Sequence, residues 1–97
     1  MRIPKDIYRE IKKYPKFYQK VWKVVSKIFK GEVRSYSWVA KKIGSPKASQ
    51  AVGQALKNNP FPRVIPCHRV IYKNGSLGGY SQGLKKKKLL LEKEKKS

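Results

Sequence analysis

The sequence predicts a small, mainly helical α+β domain: helices throughout, one short β-hairpin, and a single core. Three observations predict it. Apolar residues recur every three to four positions in four separate stretches, Ser and Pro stand before helical runs with Gly after them, and a single Asn74-Gly75 pair sits between two β-like runs. At 97 residues there is room for one domain and no second one.

The first stretch, 2–13, carries Ile3, Ile7 and Ile11 four apart with Pro4 near its start, and Tyr14-Pro15 breaks it. A second helix follows, with Phe17, Val21, Val24, Val25 and Ile28 on its buried face and Lys16, Lys20, Lys23, Lys27 and Lys30 in solvent. Gly31 is its expected stop. Ser35 then caps a helix bearing Trp38, Val39, Ala40 and Ile43, which Gly44 ends in the left-handed conformation. Ser45-Pro46 opens the next helix, running to about Lys57 and closed by Asn58-Asn59-Pro60. Two helices joined by a tight glycine turn make a helix-turn-helix. In the second, Ala48, Val52, Ala55 and Leu56 face the core, while Lys47, Gln50, Ala51 and Gln54 form a small, polar or cationic outer face that allows close approach to a nucleic-acid groove. An ordinary surface helix explains that face equally well. Residues 69–73 and 76–80 flank Asn74-Gly75 as a hairpin, so the arrangement is winged. A last helix, Leu84 to Lys96, packs Leu84, Leu90 and Leu91 and leaves the run Lys85 to Lys88 as a solvated face.

Composition narrows the function. Lys and Arg number 25 against 5 Asp and Glu, a net charge of +20. That excess has no internal partners and calls for an anionic one, of which nucleic acid is the commonest. A hydrophobic content of 39% excludes a disordered basic tail. No apolar run reaches the roughly 18 residues of a membrane span, and no signal-like start is present. The single cysteine excludes an internal disulfide framework and a cysteine-based zinc site, which points to a reducing, cytoplasmic setting, or a nuclear one in a eukaryote. No metal and no membrane partner is called for.

That cysteine stands in Ile65-Pro66-Cys67-His68-Arg69-Val70. A thiol reacts as thiolate, and an adjacent imidazole and guanidinium favour it by taking its proton or balancing its charge. A Cys-His pair alone more often packs than reacts. A cysteine protease is disfavoured, since so small a basic chain has no place for a substrate cleft and oxyanion hole.

Around it Gly31-Glu32-Val33, Ser35-Tyr36, Ser45-Pro46-Lys47-Ala48, Ala51-Val52-Gly53, Asn59-Pro60, Pro62, Gly78, Tyr80-Ser81 and Leu89-Leu90 follow in order. With Pro-Cys-His-Arg-Val, this order resembles the catalytic domain of the O6-alkylguanine-DNA alkyltransferases over residues 15–96. The resemblance implies a monomer without cofactor that binds duplex DNA through the helix-turn-helix, flips the alkylated guanine out of the stack, and moves its alkyl group irreversibly to Cys67. O4-alkylthymine would be a second substrate, and binding along DNA could be cooperative. It implies further that His68 activates the thiol through a water, Glu94 orients His68, and Asn59 braces the site's turn. Tyr36 would hydrogen-bond the purine, Pro62 and Tyr80 would wall the pocket, and backbone near Val70 and Ser81 would read the base edge. Lys47, Ala48, Gln50, Ala51, Gly53, Gln54, Arg69 and Tyr36 would meet DNA. Without the resemblance, Tyr36, Pro62 and Tyr80 read as core residues and Glu94 as half of a surface ion pair.

Three departures stand out. Gln50 occupies the position where the family carries an arginine that fills the gap left by the flipped base, and Gln82 one where glycine is common. The resemblance leaves only about 15 residues before it, so the separate N-terminal domain of many members is not expected here, and the helix at 1–14 is expected to cover the surface it would bury. Three other readings compete: a non-enzymatic damage-recognition protein of the alkyltransferase-like kind, which usually has tryptophan in place of the cysteine, a plain basic winged helix, and a redox-sensing thiol. Cys67 argues against the first, and the second leaves Pro66-Cys67-His68-Arg69 without a reason.

Overall fold

The computed structural model describes residues 3–61, 64–72 and 83–96. In chain order these form α1 (Lys5–Ile11), α2 (Lys16–Val25), β1 (Arg34–Ser35), α3 (Tyr36–Lys42), α4 (Ser49–Lys57), one 3-10 turn (Cys67–Arg69), β2 (Val70–Ile71) and α5 (Leu84–Lys96). It is the mainly helical α+β arrangement that the apolar spacing predicts.

α2 is the centre. Val21, Trp22 and Val25 are fully buried, while its lysines stay exposed. Trp22, absent from the predicted stripe, is the largest buried side chain; its indole Nε1 donates to the Ala55 carbonyl (3.0 Å) and ties α2 to α4. Tyr14, Tyr18 and Phe61 surround its ring at centroid distances of 5.0, 5.5 and 6.4 Å. Ile3 and Ile7 pack against this core and Ile11 is buried in it, so α1 is docked through its isoleucine stripe.

The boundaries of two helices differ from those expected. α2 ends at Val25, well before Gly31, and the chain closes through turns from Lys27 and Ile28 N–H to the Val24 and Val25 carbonyls. Leaving the helix there lets Ile28 bury its side chain and turn its carbonyl toward Arg69. α4 starts at Ser49, not at Ser45-Pro46. Residues 45–48 form a turn closed from Ala48 N–H to the Ser45 carbonyl (2.9 Å), with proline supplying a turn φ in place of a first helical one. Lys47 and Ala48 therefore precede the helix.

The link between α3 and α4 follows expectation. Ser35 Oγ accepts from Trp38 N–H (3.0 Å) at the start of α3. At its end Gly44 (φ +79°) lets Ser45 N–H reach the Ala40 carbonyl and its own N–H reach Lys41, which satisfies carbonyls the helix would otherwise strand.

β1 and β2 pair in parallel, Arg34 with Val70 and Ser35 with Ile71. The expected hairpin falls mostly on 73–82, outside the described residues, as do Pro62, Tyr80, Ser81 and Gln82. α5 packs through Leu90, but Leu84 is exposed, contrary to its expected core role. Lys87, expected in solvent, is fully buried. Its ammonium has polar partners inside, whereas Leu84 lies at the helix's first turn, beyond the core.

Candidate active site

Cys67 opens the 3-10 turn directly after α4 and the Pro60–Pro66 connection, and its side chain is buried. Asn59, one residue past the α4 C-cap and 3% exposed, organises this connection. Its Nδ2 donates to the Ile65 carbonyl (3.0 Å) and lies 3.4 Å from Cys67 Sγ, while its Oδ1 accepts from Phe61 N–H (2.9 Å). One amide thus holds both ends of the loop and touches the sulfur. Only a side chain with both donor and acceptor can do so.

Behind the thiol lies a buried ionic network. His68 Nε2 and Glu94 Oε2 are 2.9 Å apart, across 26 residues of sequence. Arg69 grips the same carboxylate, Nε to Oε1 at 3.0 Å and Nη2 to Oε2 at 2.7 Å, and sends Nη1 to the Ile28 carbonyl (2.7 Å). Burial alone would raise the Glu94 pKa, but the hydrogen bonds and charges of Arg69 and His68 outweigh it and hold it at about 2. His68 is pushed below its ordinary value, first by burial and further by the Arg69 and Lys87 charges, against the pull of Glu94. Around neutral pH the pair is therefore neutral imidazole on ionised carboxylate. A protonated Nε2 donating to Glu94 makes Nδ1 the ring's basic nitrogen.

Arg69 corrects an expectation. Expected on the DNA face, it is turned inward and 6% exposed, its guanidinium bound to Glu94 and to the Ile28 carbonyl. The cation near the thiol is Lys87, whose Nζ donates to the Val70 carbonyl (2.6 Å) and approaches the Tyr36 hydroxyl (3.3 Å). Burial lowers the Lys87 pKa to about 8, and charge on Cys67 works the other way, so a thiolate and this ammonium favour each other. The Tyr36 hydroxyl is pushed up to about 12 by burial, then by Tyr72 and Cys67, and stays protonated. Val70 is buried, its N–H bonded to the Cys67 carbonyl and its own carbonyl to Lys87, so a base-edge contact there would use that carbonyl's second lone pair.

Sequence reasoning missed Lys87, although a signal was present. On α5 it lies seven residues before Glu94 and three before Leu90, which puts all three on one helical stripe.

On α4, Val52, Ala55 and Leu56 are buried while Gln50, Ala51 and Gln54 are exposed; Lys47 is exposed and Ala48 half-buried in the preceding turn. Gly53 faces Tyr36, where an added Cβ would meet its ring at 3.9 Å.

A helix-turn-helix leading into a buried cysteine, with His68 beside it and Glu94 reaching that histidine from the last helix, defines an architecture built around one thiol. The chain belongs to the 6-O-methylguanine DNA methyltransferase DNA-binding-domain family, whose description it matches over residues 16–96. It is 50% identical over 78 residues to the methylated-DNA–protein-cysteine methyltransferase of Methanosarcina acetivorans, covering 80% of this chain and 50% of that one. Among solved structures it is similar to OGT of Mycobacterium tuberculosis in complex with DNA (47% identity, TM-score 0.83, 86% of this chain and 52% of that one). It is also similar to ATL of S. pombe in complex with DNA (33% identity, TM-score 0.73, 81% and 75%). The chain spans about half the length of the curated relatives it matches.

Proposed function

We propose that this chain repairs DNA by transferring the alkyl group of O6-alkylguanine to Cys67, once per molecule. One observation carries the reading: Cys67 Sγ is held by Asn59 beside a neutral His68 whose partner Glu94 is ionised. Duplex DNA binds across α3 and α4, and the lesion leaves the stack because its alkyl carbon cannot meet a side chain while paired. His68 takes the thiol proton through a water, with Glu94 stabilising the imidazolium. Lys87 stabilises the thiolate. The sulfur attacks the alkyl carbon, the carbon–O6 bond breaks with its electron pair leaving on the purine, and Tyr36 hydrogen-bonds that base as it takes up a proton. A thioether and an unmodified guanine result.

Pro62, Tyr80 and Ser81 complete the pocket in this reading, and Lys47, Ala48, Gln50, Ala51 and Gln54 meet the DNA. O4-alkylthymine is a second candidate substrate. In this reading the protein acts as a monomer in the cytoplasm.

The test is intact mass and peptide mapping after incubation with a duplex carrying one O6-methylguanine. One methyl on Cys67 and no more is expected. Tight lesion-dependent binding without mass gain would move the assignment to damage recognition, a reading the likeness to ATL keeps in view.

A further inference from the structure

Residues 11–31 hold seven lysines and no acidic residue. Lys16, Lys20, Lys23 and Lys27 recur four, three and four apart along α2 and the turn after it, and all four are exposed. Among the described residues none of the four has an ion-pair partner, whereas Lys13 pairs with Glu10 at 3.2 Å. Like charges at these spacings repel one another along a helix, a cost that a bound polyanion removes. α1 extends the stripe. The Tyr8 ring carries both Lys12, at the C-cap of α1, and Lys23 of α2, with Nζ 5.2 and 5.1 Å from its centroid.

This surface faces away from the helix-turn-helix. α2 turns Val21, Trp22 and Val25 inward, and Trp22 Nε1 donates to the Ala55 carbonyl of α4. α4 buries Val52, Ala55 and Leu56 and exposes Gln50, Ala51 and Gln54 on its other side. The lysine stripe and the amide face are therefore the two outer sides of one helix pair, about 20 Å apart at roughly 10 Å per helix. A straight duplex lying on α4 does not reach the stripe. The occupant that fits is a second duplex: Lys16, Lys20 and Lys23 rise over about 10 Å of helix axis, and DNA offers a negative charge every ~1.7 Å of its length. α2 commits its apolar side chains to the core, which leaves the stripe none to insert into a membrane.

We propose that α2 is a second DNA-contact surface: Lys16, Lys20, Lys23 and Lys27 hold the phosphates of one duplex segment while α3 and α4 hold another. Resting on the DNA-repair reading above, this gives the protein a way to pass from segment to segment in its search for a lesion without first dissociating.

The experiment mixes the full chain with an excess of two short unmodified duplexes, one bearing a donor dye and one an acceptor, and reads energy transfer together with sedimentation. One protein should join two duplexes. Affinity for the second should fall with salt at a log–log slope of about −3.6, roughly 0.9 for each lysine. Replacing the four lysines by Gln should weaken capture of the second duplex at least about ten-fold. A control with Lys85, Lys86, Lys88 and Lys93→Gln, also exposed on α5, removes the same charge and should still bridge. Both variants should bind the first duplex equally. Equal loss of bridging in the two variants would overturn the proposal, as would complexes of two proteins with two duplexes, a parent chain that binds one duplex only, or a stripe variant that loses the first duplex along with the second. Capture of phosphatidylserine vesicles through the stripe in place of a second duplex would overturn it too. Methyl transfer is read separately, by mass, on a lesion-bearing duplex. Its failure with bridging intact would sink the alkyltransferase reading and leave the second surface standing.

Discussion

Replacing Glu94 by Gln tests the ionic network behind the thiol. A shift in the carboxyl pKa from 4.5 to about 2 corresponds to roughly 3 kcal/mol favouring the ionised form in the folded state. Removing one partner of a buried pair independently costs about 3–5 kcal/mol, and a glutamine carbonyl that still accepts from Arg69 should keep the loss near the lower figure. Because the folded pKa is depressed, this stability is present above about pH 4.5 and is lost as the pH falls toward 2. His68, also depressed, acts in the same sense below its ordinary value, losing stability with acidification. Urea unfolding followed by tryptophan fluorescence at several pH values from 7 to 2.5 reads both. Glu94→Gln should start about 3 kcal/mol below the wild type at pH 7, and the gap should close on acidification. With five Asp and Glu in the chain, the difference isolates one carboxylate from a small background. A variant within about 0.5 kcal/mol of wild type at pH 7, or a gap that stays constant with pH, would refute the argument.

Lys87→Met removes a buried ammonium whose folded pKa of about 8 lies below the ordinary 10.5. The wild type should gain stability as the pH rises through that interval, because the unfolded chain binds the extra proton, and the variant should lack this rise; thiol alkylation at pH 7 should also slow. Asn59→Leu strips a donor from the Ile65 carbonyl and an acceptor from Phe61 N–H, about 1–3 kcal/mol each, visible as a lower urea midpoint. Asn59→Asp keeps the acceptor but sets a carboxylate beside Sγ, so iodoacetamide reactivity of Cys67 should fall more steeply than stability. Gln50→Arg should tighten binding to lesion-containing duplex by restoring a charge on the outer face of α4; an unchanged Kd would show that glutamine serves equally well there.

What was legible in the sequence was local. Ser35 before an apolar-periodic run and Gly44 after it specify a cap and a left-handed stop, because both act within four residues of the chain. The isoleucine and valine stripes of α1 and α2 show which faces are buried, and the family order around Cys67 puts Asn59, His68 and Glu94 in one site, where the structure has Asn59 against Sγ and Glu94 against His68. The ends of α2 and the start of α4 were less legible: Gly31 and Ser45-Pro46 are good local signals, yet burial of Ile28 and the turn at 45–48 prevailed. Charged side chains were hardest to read. Arg69 and Lys87 look like solvent or DNA contacts, since long cations usually keep their heads in water. Only the docking of α5 brings Glu94 to Arg69 and Lys87 to the Val70 carbonyl, supplying partners that make burying these charges tolerable. Such partners lie 17 and 25 residues away, beyond any local pattern, so the tertiary structure alone decided them.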